Sequence, residues 1–191
     1  RAADSAVLLA GERDGVRITA ATSDSVDFDL GNSPREYTTA TVRDRRIVTT
    51  TTNGTRAFAA CQGARHVLAG SFLNLKRTAQ HLAQLSCPQV ILVCSGTGEA
   101  TAFEDCLGAG ALCHALHEYA PDMVLTDSAS FTTDMFTTNA SDLLAAMSKS
   151  ANARRLLAQP DLAADVPFCL TETLYPIIVA ADPQGRLYHA N

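Results

Sequence analysis

Ile47-Val48-Thr49-Thr50-Thr51-Thr52-Asn53-Gly54-Thr55-Arg56-Ala57 decides the reading of the fold. The β-branched run from Ile47 to Thr52 favours an extended chain on a pleated surface and predicts a buried strand. Asn53-Gly54 breaks that strand, because glycine takes positive φ without steric cost. Ala57 to Ala60 then open an apolar helix. A strand–turn–helix junction aims free backbone N–H groups outward, at the positive end of the helix dipole, which suits an anion. Arg56 adds a fork of donors matched to phosphate, sulfonate or carboxylate. The competing reading is a plain strand end, with Asn or Thr as an ordinary helix cap.

Two further junctions have the same character. Asp27-Phe28-Asp29-Leu30-Gly31-Asn32-Ser33-Pro34 sets carboxylates beside a helix start, with Ser33 as cap and Pro34 in the first turn. Ser95-Gly96-Thr97-Gly98-Glu99 follows Gln89–Cys94, the most hydrophobic predicted strand, expected to be central and parallel. Thr101 and Glu104 fit a capping box. Asp105 has no such role, and two adjacent carboxylates at a helix start near a glycine-rich loop suit Mg²⁺.

Around these junctions the chain alternates. Strands are expected at Ala6–Ala10, Val16–Ala20, His66–Gly70 and Tyr175–Ala180. Helices are expected from Ser71 to about Leu85, from Thr101 to about Tyr119, and in three pieces between residues 122 and 160. The alternation predicts one α/β domain over residues 1–191: a three-layer α/β/α arrangement with a parallel-rich mixed sheet. The strands near 6–10, 47–52, 66–70 and 89–94 are expected in one sheet. Glu12 and Arg13 then stand at the C-terminal end of the first strand, the edge where open α/β sheets bind ligands. The rival for this pair is a solvated turn.

Composition excludes several classes. The net charge is −5 and the hydrophobic fraction 47%, with no Lys/Arg cluster, so nucleic acid is not the expected partner. No apolar run is long enough to span a membrane. The six cysteines form no CxxC pair and are expected to be reduced thiols in a cytoplasmic protein. The chain begins at Arg1 rather than Met, without the charged and apolar regions of a signal peptide. It reads as a piece lacking its original N-terminus.

Taken together, Leu9-Ala10-Gly11-Glu12-Arg13, Phe28 to Pro34, Thr50 to Ala57, Gly70-Ser71-Phe72-Leu73-Asn74 and Glu104-Asp105 resemble the 2-phosphosulfolactate phosphatase family in order and spacing. Ser150 to Leu157 and Asp165 to Cys169 are also similar. The resemblance implies a Mg²⁺-dependent phosphatase. It would convert 2-phospho-3-sulfolactate, or a related 2-phospho-hydroxyacid, to 3-sulfolactate and phosphate, a step towards coenzyme M in methanogens. It also implies the three-layer fold. The family's N-terminal strand and helix have no match here, and Thr22 to Val26 is more polar than the family pattern.

On that reading Glu104 and Asp105 hold Mg²⁺, with Asp29 or Glu12 as a further carboxylate. Asn53, Gly54 and Thr55 cradle phosphate, Arg56 clamps it, and Arg13 pairs with the sulfonate or carboxylate. Asn32, Ser33, Thr52, Ser95, Gly96 and Thr97 contact the small anionic substrate. A metal-activated water attacks, with a covalent route through Ser95 or Thr97 second. A homodimer is the assembly considered. The alternatives are a non-catalytic binder of phosphorylated or sulfonated anions, and a scaffold whose junctions are only caps.

Overall fold

The computed structural model describes residues 7–13, 15–23 and 26–190. Ala6, Asp14, Asp24 and Ser25 lie outside the described residues. The chain divides into two compact units, Arg1–Thr55 and Arg56–Asn191.

In the first unit β1 (Val7–Arg13) turns into β2 (Val16–Arg17), and α1 (Ala20–Ser23) follows. A 3₁₀ turn at Pro34–Glu36 and α2 (Thr39–Val42) lead to β3 (Arg46–Thr50). β1 pairs parallel with β3, from Val7↔Arg46 to Gly11↔Thr50, and antiparallel with β2. Leu30 adds a parallel bridge to Ala10. Leu8, Ala10 and Leu30 form a small core backed by Tyr37 and Val42. The expected buried strand at 47–52 is shorter and exposed along most of its length, with Val48 58% exposed. Its β-branched residues decide that it is extended, but not that anything covers it.

The second unit continues α3 (Gly54–Ala60), which starts at the end of the first, into β4 (Leu68–Ala69) and α4 (Leu75–Gln84). After a long irregular stretch come α5 (Phe103–Tyr119), α6 (Asp127–Asn139), α7 (Leu143–Ala146), α8 (Ala151–Leu157) and α9 (Asp165–Cys169). β5 (Ile178–Ala181) and β6 (Leu187–Ala190) close the chain. The sheet order is β4-β5-β6, antiparallel throughout. The helical core gathers Phe72, Leu75, Leu107, Leu112, Leu116 and Phe136 among others. α5 reaches α6 closely: a Cβ on Gly110 would collide with the Thr132 carbonyl oxygen, so only glycine fits.

The mixed helix–strand character is as expected, and the one-sheet expectation is not. β4 pairs antiparallel with β5 in a sheet separate from β1 and β3. Residues 89–94 form no strand, and Ile91 is 71% exposed. An apolar run shows what gains by burial, whereas a strand also needs a neighbouring backbone to accept its ladder. No described helix is long and apolar enough to cross a membrane. All six cysteines are free thiols.

Candidate active site

The carboxylate of Glu12 lies beneath the turns that end β1 and β3. Glu12 is 8% exposed. Its Oε1 accepts the Thr52 N–H at 2.8 Å and the Thr52 hydroxyl at 3.0 Å, and its Oε2 accepts the Gly15 N–H at 2.9 Å. Burial alone would push the carboxyl up. The Gly15 and Thr52 hydrogen bonds, with Arg13 nearby, outweigh it and hold the pKa below the usual carboxylate value. Glu12 therefore ties the two strand ends together. The Arg13 guanidinium donates to the Glu12 carbonyl at 2.8 Å.

The other first-unit residues are bound into local structure. Asp29 Oδ2 accepts the Leu9 N–H at 2.9 Å and fixes the segment that carries Leu30. Ser33 is buried and precedes Pro34 as expected, but its side chain makes no cap bond. Gly31 donates instead to Glu36 Oε2 at 2.9 Å, and Asn32 is exposed. At the opening stretch, Thr51 Oγ1 accepts the Thr55 N–H at 3.1 Å, and the Thr55 hydroxyl donates back to the Thr51 carbonyl. The N–H groups of Thr52 and Thr55 are thus already committed within the protein. α3 is also too short, at seven residues, to act as a strong dipole.

In the second unit the loop at 95–98 is braced from α5. Asp105 Oδ2 accepts the Gly96 N–H at 2.7 Å, and the Ser95 N–H also bonds this carboxylate. The Thr97 N–H goes to the Ala100 carbonyl at 2.9 Å, with the reciprocal bond at 3.1 Å. Gly98, at φ 60°, takes the positive-φ corner of this two-residue turn. Three successive N–H groups are therefore spent internally. Ser95, Gly96 and Thr97 can offer a ligand their side chains or carbonyls, but not a nest of backbone donors. Burial pushes the Asp105 pKa up against these hydrogen bonds, and neighbouring Glu104 adds to the rise.

Glu104 is not the cap partner of Thr101. α5 begins one residue later than a Thr101 cap requires, and Ala102 takes the cap position without a side-chain bond. Ala102 is 5% exposed. Glu104 Oε2 instead accepts the Ser150 hydroxyl at 2.6 Å, and Oε1 accepts Asn152 Nδ2 at 2.6 Å. Ser150 is fully buried, and its oxygen also accepts the Ala153 N–H at 2.9 Å, capping α8. Asn152 Nδ2 reaches Thr97 Oγ1 at 2.6 Å. Ser150 and Asn152 were not among the expected site residues. Their signal was present, since both lie in a segment that resembles the family, but nothing local tied them to residue 104.

Beside Asp105 lies a pocket of about 370 Å³. Phe72, Leu75 and Leu112 form apolar wall, while Ser95, Glu104 and Asp105 supply the polar side. No Lys, Arg or His is among its described lining. Cys94 also lines it, and desolvation, with Cys106 and Asp105 nearby, pushes its thiol up to about 11. A thiol that stays protonated at neutral pH is a poor nucleophile. Arg56 stands in the open, paired with Glu99 at 3.7 Å, the two side chains 69% and 94% exposed.

The expected ligands were tested for their fit to Mg²⁺. Among the described residues no group of three or more His, Cys, Asp or Glu is placed to hold a metal. Mg²⁺, however, often takes only one or two carboxylates and keeps several waters. Asp105 fits this role: it is partly buried, and a nearby cation would offset the cost of burying its charge. Glu104 fits less well, with both oxygens engaged. Asp29, in the first unit, accepts the Leu9 N–H with its Oδ2.

The fold and these turns define a mixed α/β protein that concentrates its polar side chains where strands and helices end. The family model for 2-phosphosulpholactate phosphatase matches residues 1–183, and the chain belongs to that family. It is 37% identical over 163 residues to a probable 2-phosphosulfolactate phosphatase of Synechococcus sp. (strain JA-3-3Ab), covering 85% of this chain and 64% of the relative. Similarly named proteins of Pseudothermotoga lettingae and Deinococcus radiodurans are each 35% identical. They cover 90% and 95% of this chain and 69% and 74% of their own lengths. A fourth, from Caldicellulosiruptor saccharolyticus, is matched over 50% of its length, so the chain spans between half and three quarters of these relatives.

Proposed function

We propose that this chain carries the phosphatase chemistry of its family. The reaction would be Mg²⁺-dependent hydrolysis of 2-phospho-3-sulfolactate, or a related 2-phospho-hydroxyacid, to the hydroxyacid and inorganic phosphate. The observation that carries the reading is Asp105: a desolvated carboxylate, braced by the Ser95 and Gly96 N–H groups, at a pocket whose described lining has no cationic side chain. A phosphorylated anion would enter such a pocket together with a divalent cation. Asp105 would hold Mg²⁺, with Glu104 as its oriented neighbour. When bound, the ion would neutralise charge on the phosphoryl oxygens.

This chain's own groups would do the rest. Ser95 lines the pocket, and Thr97 follows two residues on in the same loop. The apolar wall of Phe72, Leu75 and Leu112 limits the water that reaches the anion. The Arg56–Glu99 pair is exposed, so it contributes little, and Arg56 can exchange Glu99 for a phosphoryl oxygen at small cost. The three-layer arrangement with a parallel-rich sheet belongs to the same proposal. It is supported by the parallel β1–β3 pair. So do cytoplasmic residence, supported by six free thiols, and a place on the route to coenzyme M.

The test is phosphate release by the full-length protein across a panel of 2-phospho-hydroxyacids with and without Mg²⁺. Turnover of 2-phospho-3-sulfolactate that stops with chelator is expected. Arg56→Ala should lower kcat/KM by about 10²-fold, the cost of one lost electrostatic contact to the reacting group. Asp105→Asn should raise the Mg²⁺ concentration required, with partial rescue at excess metal. Anion binding without turnover under every metal tried would replace this reading with a non-catalytic one.

A further inference from the structure

We propose that Asn152 is a positioning residue that makes the Thr97 hydroxyl a hydrogen-bond donor to an anionic ligand; this rests on the proposed binding of a phosphorylated anion at the same loop. The argument is a count of protons. Both oxygens of Glu104 accept, one from the Ser150 hydroxyl and one from Asn152 Nδ2. A carboxylate cannot face an amide oxygen at 2.6 Å, so the nitrogen of Asn152 must point this way, and its orientation is fixed. The same nitrogen donates its second hydrogen to Thr97 Oγ1 at 2.6 Å.

Nδ2 has no lone pair to accept with. The Thr97 hydrogen must therefore point away from Asn152, and Thr97 is exposed. The backbone around Thr97 is also held, through the Ala100 pair and the Gly96–Asp105 bond. The loop thus presents an O–H whose direction is set by a chain running Ser150–Glu104–Asn152–Thr97. An anion takes such a donor well, because a hydrogen bond to a charged acceptor is about twice as strong as a neutral one.

The test uses full-length protein, with inorganic phosphate titrated calorimetrically in Mg²⁺ buffer, alongside phosphate release. Thr97→Val should weaken phosphate binding by about tenfold, the range for one hydrogen bond to a charged group. Thr97→Ser, which restores the hydroxyl, should recover most of that loss. Asn152→Asp turns the donor into an acceptor that captures the Thr97 hydrogen, and Asn152→Ala removes the donor without adding charge. Each should weaken binding, and Asn152→Ala, which changes no charge, should not weaken it further when combined with Thr97→Val. Additive losses for that pair would mean that Asn152 acts other than through Thr97 and would overturn the role. So would unchanged phosphate affinity in Thr97→Val, a result that does not depend on the Asn152 variants folding. A wild-type protein that neither binds phosphate nor releases it would sink the phosphatase reading as well. A wild type that binds, with variants that match it, would sink only the positioning role.

Discussion

At the scale of single residues two described carboxylates, Glu12 and Asp105, are shifted in opposite directions. The Glu12 pKa is held below its unfolded value by bonds from Gly15 and Thr52. The stability this brings is present above the unfolded value and is lost as pH falls through the folded one. Glu12→Gln should therefore flatten the acid limb of a stability-against-pH curve measured by urea unfolding. It should also cost about 1 kcal/mol at neutral pH through weaker hydrogen bonds. Identical acid limbs in the two proteins would contradict this. Asp105 is raised by burial, so its charge opposes folding at neutral pH and the opposition fades on acidification. Without metal, Asp105→Asn should melt at or above wild type at pH 7, since asparagine keeps an acceptor for the Gly96 N–H. A clearly lower Tm would show that the carboxylate is stabilised where it stands.

At the scale of elements, Glu104 joins α5 to α8 rather than capping α5. Removing it leaves the buried Ser150 hydroxyl and the Asn152 amide without their acceptor, which costs roughly 1–3 kcal/mol. The location of the damage separates the two roles. Hydrogen exchange in Glu104→Ala should quicken at the first turn of α8, where Ser150 caps Ala153, and change little at residues 103–106 of α5. Faster exchange confined to the start of α5 would restore the capping role.

The whole molecule exposes apolar residues that the sequence marks for burial. Ile91 is 71% exposed, Val93 51% and Val48 58%. In this 191-residue chain Ile91→Lys should change stability by less than about 0.5 kcal/mol, as surface substitutions do. Chemical denaturation measures the change, and a loss of several kcal/mol, the cost of burying an unpaired charge, would show that Ile91 is covered.

Much of the local structure was determined by the sequence alone. The extended β1 and β3, the long α5 and the helical stretch after residue 122 follow from periodicity and turn chemistry, because neighbours along the chain decide them. The family was legible too, since it rests on the order of short motifs. Three things were decided only by tertiary structure. Residues 89–94 gained no ladder, because pairing depends on which backbone arrives beside them. The N–H groups of Thr52, Thr55, Ser95, Gly96 and Thr97 were spent on internal acceptors, which no local pattern announces. Glu104 found Ser150 and Asn152 more than forty positions along the chain instead of Thr101 three residues away. A capping box is a contest for one side chain, and a buried hydroxyl with a half-buried amide prevails over an N–H that water can serve.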